Sequence, residues 1–247
     1  MNFKYNKKNI PLKEKINVIF EDNSIIVIDK MSGLLSQPVK DSQEPSVVEL
    51  IRYFWKSKNK RQGYIGVVQR LDKETSGLLV FAKSKEAQRI LQKQFEHHKI
   101  KKRYLAIVKN VPREKKGRLI GTITRDQKSK RTVLYGQETK EGKEAVTRYK
   151  VIESFKDKAL LELAPETGRT HQIRLQLVKI GCPILGEPFY VRDKKRIPGC
   201  DRCALHSAEL EFIHPETTKR INFISPLPAD MATIIKNSQE VEEELNE

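Results

Sequence analysis

Gly66-Val67-Val68-Gln69-Arg70-Leu71-Asp72-Lys73-Glu74-Thr75-Ser76-Gly77-Leu78-Leu79-Val80-Phe81-Ala82-Lys83 sets a polar, turn-rich stretch between two apolar runs. Short apolar runs bounded by Gly, Asp, Thr and Ser read as strands, so the polar residues form a loop whose ends the core fixes. Such a loop can hold functional groups in defined positions. Asp72 lies between Arg70 and Lys73, and neighbouring cations favour the ionised carboxylate that a nucleophile or base requires. Taken alone, an Asp in this setting is most often a surface ion pair or a turn former.

On the N-terminal side, Val18-Ile19-Phe20 and Ile25-Ile26-Val27-Ile28 flank Glu21-Asp22-Asn23, a strand-turn-strand pattern. Ser46-Val47-Val48-Glu49 is a capping box, and Val47, Leu50, Ile51 and Phe54 keep helical spacing, predicting a helix over 47–58. A second helix opens after Ser84 with Ala87, Ile90, Leu91 and Phe95 on one face. Beyond it strands dominate, at 104–108, 119–124, 132–135, 145–152 and 159–163. Thr170 is expected to cap a third helix, whose Ile173, Leu177 and Ile180 share a face until Gly181 stops it. Residues 209–213 and 220–224 read as a hairpin around His214-Pro215-Glu216-Thr217. Many strands with few interspersed helices, and no regular βαβ succession, indicate an α+β fold on a largely antiparallel or mixed sheet rather than a doubly wound one. The chain divides into a polar arm (1–16), one domain (17–230) and a C-terminal helix with an acidic tail (231–247).

The 247 residues include 48 Lys and Arg against 32 Asp and Glu, a formal charge of +16. Residues 240–247 hold five Glu and no cation, so residues 1–239 carry +21. Cations cluster at Lys99, Lys101, Lys102 and Arg103, at Arg113, Lys115, Lys116 and Arg118, at Lys128, Lys130 and Arg131, and at Arg192, Lys194, Lys195 and Arg196. One cluster would be an ordinary solvated loop. Four on one body point to a nucleic acid, because binding a polyphosphate releases counterions along an extended track. No run reaches the roughly 18 apolar residues of a membrane span, and the N-terminus lacks a signal-peptide core. Three cysteines make no disulfide framework. The expectation is a cytoplasmic monomer without a membrane partner.

A second functional stretch is Pro165-Glu166-Thr167-Gly168-Arg169-Thr170-His171-Gln172-Ile173-Arg174, a turn feeding a helix N-terminus where backbone N–H groups attract anions. Arg169 and Arg174 add guanidinium forks suited to carboxylate or phosphate. Together these pieces resemble a known family. Gln69-Arg70-Leu71-Asp72-Lys73-Glu74-Thr75-Ser76-Gly77 is similar to the H-R-L-D-x-x-T-S-G motif of RluA-type pseudouridine synthases. Lys102-Arg103-Tyr104-Leu105-Ala106, Gly168-Arg169-Thr170-His171-Gln172-Ile173-Arg174 and Leu205-His206-Ser207-Ala208-Glu209-Leu210 follow in the family's order.

The resemblance spans about 18–228 and implies the pseudouridine synthase fold, with a bent sheet flanked by helices and loops. It also implies isomerisation of uridine in ribosomal or transfer RNA. The N1–C1′ bond breaks, uracil turns, and C5 bonds to C1′, with no redox change and no cofactor. By the resemblance Asp72 is the essential carboxylate, Tyr104 stacks on the uracil and Arg169 pairs with Asp72. Arg70 enters the RNA in place of the flipped uridine. Leu205 walls the uracil pocket, and Gln69, Gln172 and Arg174 complete the substrate contacts. Gln69 replaces the family's usual His, and Asp29-Lys30-Met31-Ser32-Gly33 resembles its N-K-P-x-G turn without the proline. The short arm leaves recognition to the catalytic domain.

Cys182, Cys200-Asp201-Arg202-Cys203 and His206 have the composition of a zinc site, but one C-x-x-C pair is weak and His206 belongs to a motif, so no metal is expected. A non-catalytic RNA-binding or ribosome-assembly factor on the same fold is the alternative reading. A metal-dependent nuclease would need a carboxylate cluster that the sequence does not offer.

Overall fold

The computed structural model describes residues 16–60, 62–126, 132–136, 142–191 and 200–246, with 242–246 as backbone only. The arm, the 128–131 and 192–196 basic clusters and the side chains of the acidic tail from residue 242 lie outside the described residues. The chain forms two compact units: Met1–Lys101 with Glu209–Ser225, and Lys102–Ala208 with Pro226–Glu247.

In the first unit β1 (Asn17–Glu21) and β2 (Ile25–Lys30) form an antiparallel hairpin, closed where the Asp22 carboxylate accepts from the N–H groups of Ser24 and Ile25, each at 2.8 Å. β2 pairs antiparallel with β4 (Ser76–Ala82), from Ile25 opposite Ala82 to Lys30 opposite Gly77. Ile25, Val27, Leu78 and Val80 enter a cluster with Leu91, Leu210 and Phe212, while the alternate residues Ile26, Ile28, Leu79 and Phe81 are buried as well. Burial of both faces explains why these strands read as unbroken apolar runs. The preceding strand, β3 (Gly66–Val67), pairs with β4 over only two residues.

α1 (Val47–Ser57) starts with the expected capping box, in which Ser46 Oγ accepts from Glu49 N and Glu49 accepts from Ser46 N. α2 (Lys85–Glu96) is capped by Ser84, and its Gln94 amide donates to Ile213 O at 2.7 Å and accepts from Ile213 N at 2.9 Å. The predicted C-terminal hairpin is longer than its sequence signal: β10 (Leu205–Ile213) begins four residues early and pairs antiparallel with β11 (Arg220–Ile224). Its turn is pinned by buried His214, whose Nδ1 accepts from the backbone of Glu216 and Thr217. Nε2 therefore carries the proton and donates to Asp22 at 2.8 Å.

The second unit is an antiparallel array in the order β5 (Lys101–Lys109), β9 (Lys158–Pro165), β8 (Lys143–Phe155), β6 (Lys116–Arg125), β7 (Thr132–Tyr135). Strands and helices thus segregate as the α+β expectation requires. Ala106, Val108, Leu161, Leu163, Ile173, Leu177, Leu205 and Met231 share its core with α3 (Gln172–Lys179) and α4 (Ala229–Asn246). Two expectations for α3 do not hold. Ile180 is 40% exposed, and the N-cap is His171, in the left-handed region at φ 55°, rather than Thr170. Instead of an apolar stripe, all residues from Gln172 to Leu177 are buried. Gln176 shows why: its amide donates to Leu119 O and Ala145 O, each at 2.9 Å, and accepts from Thr147 Oγ1 at 2.6 Å, so the polar face of α3 satisfies sheet groups that would otherwise be unpaired.

Candidate active site

In the first unit the polar loop between β3 and β4 carries Gln69, Arg70 and Asp72. Arg70 is exposed, whereas Gln69 and Asp72 are half-buried. The loop is tied down by segment 30–36. Ser36 Oγ accepts from Leu71 N at 2.9 Å and donates to Leu71 O at 2.8 Å. Ser32 Oγ donates to Glu74 O at 2.8 Å, and Gly33 N to Lys73 O at 2.9 Å. Gly33 sits at φ +86°, a conformation that other residues adopt only with strain. Lys30, 1% exposed, donates at 3.0 Å to each of the carbonyls of Met31, Leu34 and Lys73. Asp72 O accepts from Thr75 N at 3.1 Å, closing the turn, while Lys73 pairs with Glu44. Leu71 N and O, Asp72 O, Lys73 O and Glu74 O therefore each have a partner, which gives the Asp72 carboxylate a well-anchored base. Gln69 Nε2 makes a long 3.5 Å contact to Leu78 O.

The second unit carries the other expected residues. Tyr104, on β5 opposite Leu163, is half-buried against the core cluster that contains Leu205. Leu205, 4% exposed, opens β10. The turn before α3 is organised by Gln172: its Oε1 accepts from Thr167 Oγ1 at 2.7 Å and from Arg169 N at 3.0 Å, and its Nε2 donates to Val146 O at 3.0 Å and Thr147 Oγ1 at 2.9 Å. With its hydrogen-bonding capacity used internally, Gln172 acts on the backbone of Arg169 rather than as an open contact. Arg169 Nε donates to Glu144 O at 3.1 Å. Arg174 is likewise committed inside the unit, bidentate to Glu187 at 2.7 and 2.8 Å with both side chains at most 2% exposed.

Lys102 sits beside this turn, a residue within a quoted motif to which the sequence attached no role. Its Nζ lies 3.5 Å from Thr167 O, and burial, reinforced by the charge of Arg169, lowers its pKa to about 8. Two cations at one turn, one of them desolvated, make a place for an anionic group. No sequence pattern separates Lys102 from its neighbours Lys101 and Arg103; only its place beside Thr167 and Arg169 does.

The three cysteines form no disulfide. Burial pushes the Cys182 and Cys200 thiols up, and Cys200 Sγ contacts Arg202 O at 3.0 Å. Among the described residues no three His, Cys, Asp or Glu side chains are grouped to hold a metal, and no described helix is long and apolar enough to cross a membrane.

Residues 24–179 match the family described as RNA pseudouridylate synthase. Over 237 residues the chain is 35% identical to a ribosomal large subunit pseudouridine synthase D of Zymomonas mobilis, covering 92% of this chain and 74% of that protein. It is 37% identical over 231 residues to an uncharacterised RNA pseudouridine synthase, YhcT, of Bacillus subtilis, with the same coverage. The solved structure of human RNA pseudouridylate synthase domain containing 4 superposes with a TM-score of 0.75 at 24% identity, over 90% of this chain and 93% of that one, a likeness of fold. The matched span runs from β2 through the clamped Asp72 loop to the end of α3, so what the motifs implied and what the relatives share coincide: the chain belongs to the RNA pseudouridylate synthase family, a family of isomerases.

Proposed function

We propose that this enzyme converts specific uridines of large-subunit ribosomal RNA to pseudouridine with Asp72 as its essential carboxylate. The observation that carries the reading is the clamp on the Asp72 loop, where Lys30, Ser32, Gly33 and Ser36 bind the backbone on both sides of one carboxylate. Isomerisation needs little else in chemical terms. The N1–C1′ electrons leave with uracil, C5 then bonds to C1′, the C5 proton is lost and N1 takes up a proton, so substrate and product are isomers and no external donor is needed. A carboxylate beside the ribose serves either as nucleophile at C1′ or as base at the 2′ carbon.

Arg169 is assigned as the cation that orients Asp72, Tyr104 as the ring against the uracil and Leu205 as an apolar wall. Arg70, exposed on the same loop as Asp72, fills the space left by the flipped nucleotide. Gln69 contacts the RNA beside it, and Gln172 and Arg174 act as positioning residues for the turn that carries Arg169. The relatives' names favour ribosomal over transfer RNA.

The test compares pseudouridine maps of ribosomal RNA from wild-type and deletion cells, read by carbodiimide-dependent primer extension. Loss of a discrete large-subunit signal, restored by the wild-type gene and by neither Asp72→Asn nor Asp72→Ala, is the expected result. Restoration by either variant removes Asp72 from the reaction, and unchanged maps in the deletion strain remove ribosomal RNA as substrate.

A further inference from the structure

Phe189 is 62% exposed, the joint highest exposure among the large apolar residues described, yet it is firmly held. Its N–H donates to Glu187 Oε1 at 3.0 Å, and that carboxylate is locked by the buried bidentate pair with Arg174. The Arg174 guanidinium carbon lies 5.4 Å from the Phe189 and Tyr190 ring centroids, within cation–π range. The His171 ring runs nearly parallel to Phe189, with 6.4 Å between centroids and 7° between planes. His171 Nδ1 in turn meets the Tyr190 hydroxyl at 2.5 Å. One residue before Glu187, Gly186 sits at φ +74°, where any Cβ would collide with the Arg202 carbonyl, so the turn that aims Phe189 is fixed as well.

We propose that Phe189, with His171 alongside, is a stacking platform for an unpaired base of the substrate RNA outside the uracil pocket. An exposed ring on a rigid support loses little conformational entropy when a base settles on it, and every base offers a face to stack on. The charge of the setting suits RNA better than protein. Glu187 is neutralised by Arg174, and Arg169, two residues before His171, adds a cation. His171, the platform's inner ring, lies two residues from Arg169 on the turn before α3. The inference rests on the enzyme's acting on RNA, and not on the role of Asp72.

The test uses the full chain and a 12-nucleotide oligouridylate carrying one central 2-aminopurine, whose fluorescence falls on stacking. Measurements are made in both the wild-type and Asp72→Asn backgrounds. Phe189→Leu is expected to raise the Kd about 5- to 100-fold, as loss of one base–aromatic stack does, and to remove most of the quench. Phe189→Trp should keep both, and the urea midpoints of all variants report folding. Wild-type binding and quench in Phe189→Leu overturn the platform, as does a loss that Phe189→Trp shares. A change of sedimentation coefficient on mutation, with RNA binding intact, overturns it in favour of a protein partner. If Phe189→Leu loses the stack while no pseudouridine forms in ribosomal RNA, the platform stands and the proposed substrate falls.

Discussion

Two lysines, Lys30 buried and Lys102 half-buried, show how single residues build this enzyme, one in each unit. Lys30 gives its three protons to three carbonyls, and a methionine of similar length would leave those of Met31 and Leu34 without that donor while Gly33 still serves Lys73. Of these two only the Leu34 carbonyl is buried, and leaving a buried acceptor unmet costs roughly 1–3 kcal/mol, so Lys30→Met is expected to lose about 1–3 kcal/mol in urea unfolding. Because the same ammonium anchors the residue next to Asp72, kcat should fall with it. Lys102 works in the opposite sense, its ammonium held below the ordinary lysine pKa of 10.5, at about 8, first by burial and then by Arg169. Below pH 8 both folded and unfolded chains carry that proton, and the folded state bears the whole burial penalty. Between about 8 and 10.5 only the unfolded chain keeps it, so this residue's contribution to stability rises with pH across that window. Lys102→Met should therefore be more stable than wild type at pH 7, and the difference in urea midpoint should shrink toward pH 10.5; a constant difference would contradict the shifted lysine. The loop that carries Asp72 is legible in sequence because its motif is local, whereas the partners that fix it come from residues 30–36, about forty positions upstream. A one-dimensional pattern carries no trace of such contacts.

At the scale of elements, α3 departs most from its sequence signal. Amphipathic spacing found α1 and α2 because each buries one face and exposes the other, and their serine caps are local hydrogen bonds that a four-residue window contains. In α3 the buried positions include Gln172, Arg174 and Gln176, whose polarity argues for the surface until their partners on β6 and β8, and Glu187 after the helix, are known. Burial works against ionisation of Glu187, but the Arg174 hydrogen bonds and charge, aided by the N–H groups of Phe189 and Tyr190, outweigh it and hold its pKa below the usual 4.5. A carboxylate whose pKa is depressed on folding stabilises the protein above its unfolded pKa. That contribution is lost as pH falls from about 4.5 through the lower folded value. Glu187→Gln, which leaves the buried guanidinium without its counter-charge, is expected to lose about 3–5 kcal/mol at pH 7. In the variant the part of the acid-induced loss that belongs to this pair should also disappear. A stability for Glu187→Gln within about 1 kcal/mol of wild type would show that the pair is replaceable and that the glutamines and the apolar core hold α3 without it.

For the whole molecule the +16 charge is only a first measure of what RNA meets, because part of it is already spent. Lys101 pairs with Glu211 at 3.1 Å, Arg103 with Glu162 at 3.3 Å, and Arg118 and Arg148 share Glu166 at 2.9 and 2.6 Å. Exposed pairs of this kind add little stability, but each offsets a cation that a phosphate would otherwise neutralise. In the first basic cluster this leaves exposed Lys99 and half-buried Lys102 as the cations without a described acidic partner. In the second it leaves Arg113, Lys115 and Lys116, all exposed and, among the described residues, in no ion pair. Net charge therefore overstates the local field at one cluster and describes it well at the other. Counterion release makes the logarithm of affinity fall with the logarithm of salt by about 0.7 to 0.9 for each phosphate neutralised. If the second cluster lies on the RNA track, changing Arg113, Lys115 and Lys116 together to Gln should lower that slope by about 2–3 and weaken all RNAs alike. Changing Lys101, Arg103 and Arg118 to Gln should move it less, since their carboxylate partners are released as the cations go. Both sets are measured by titrating a ribosomal RNA fragment at several KCl concentrations, and equal slopes for the two triple variants would show that the ion pairs open when RNA binds.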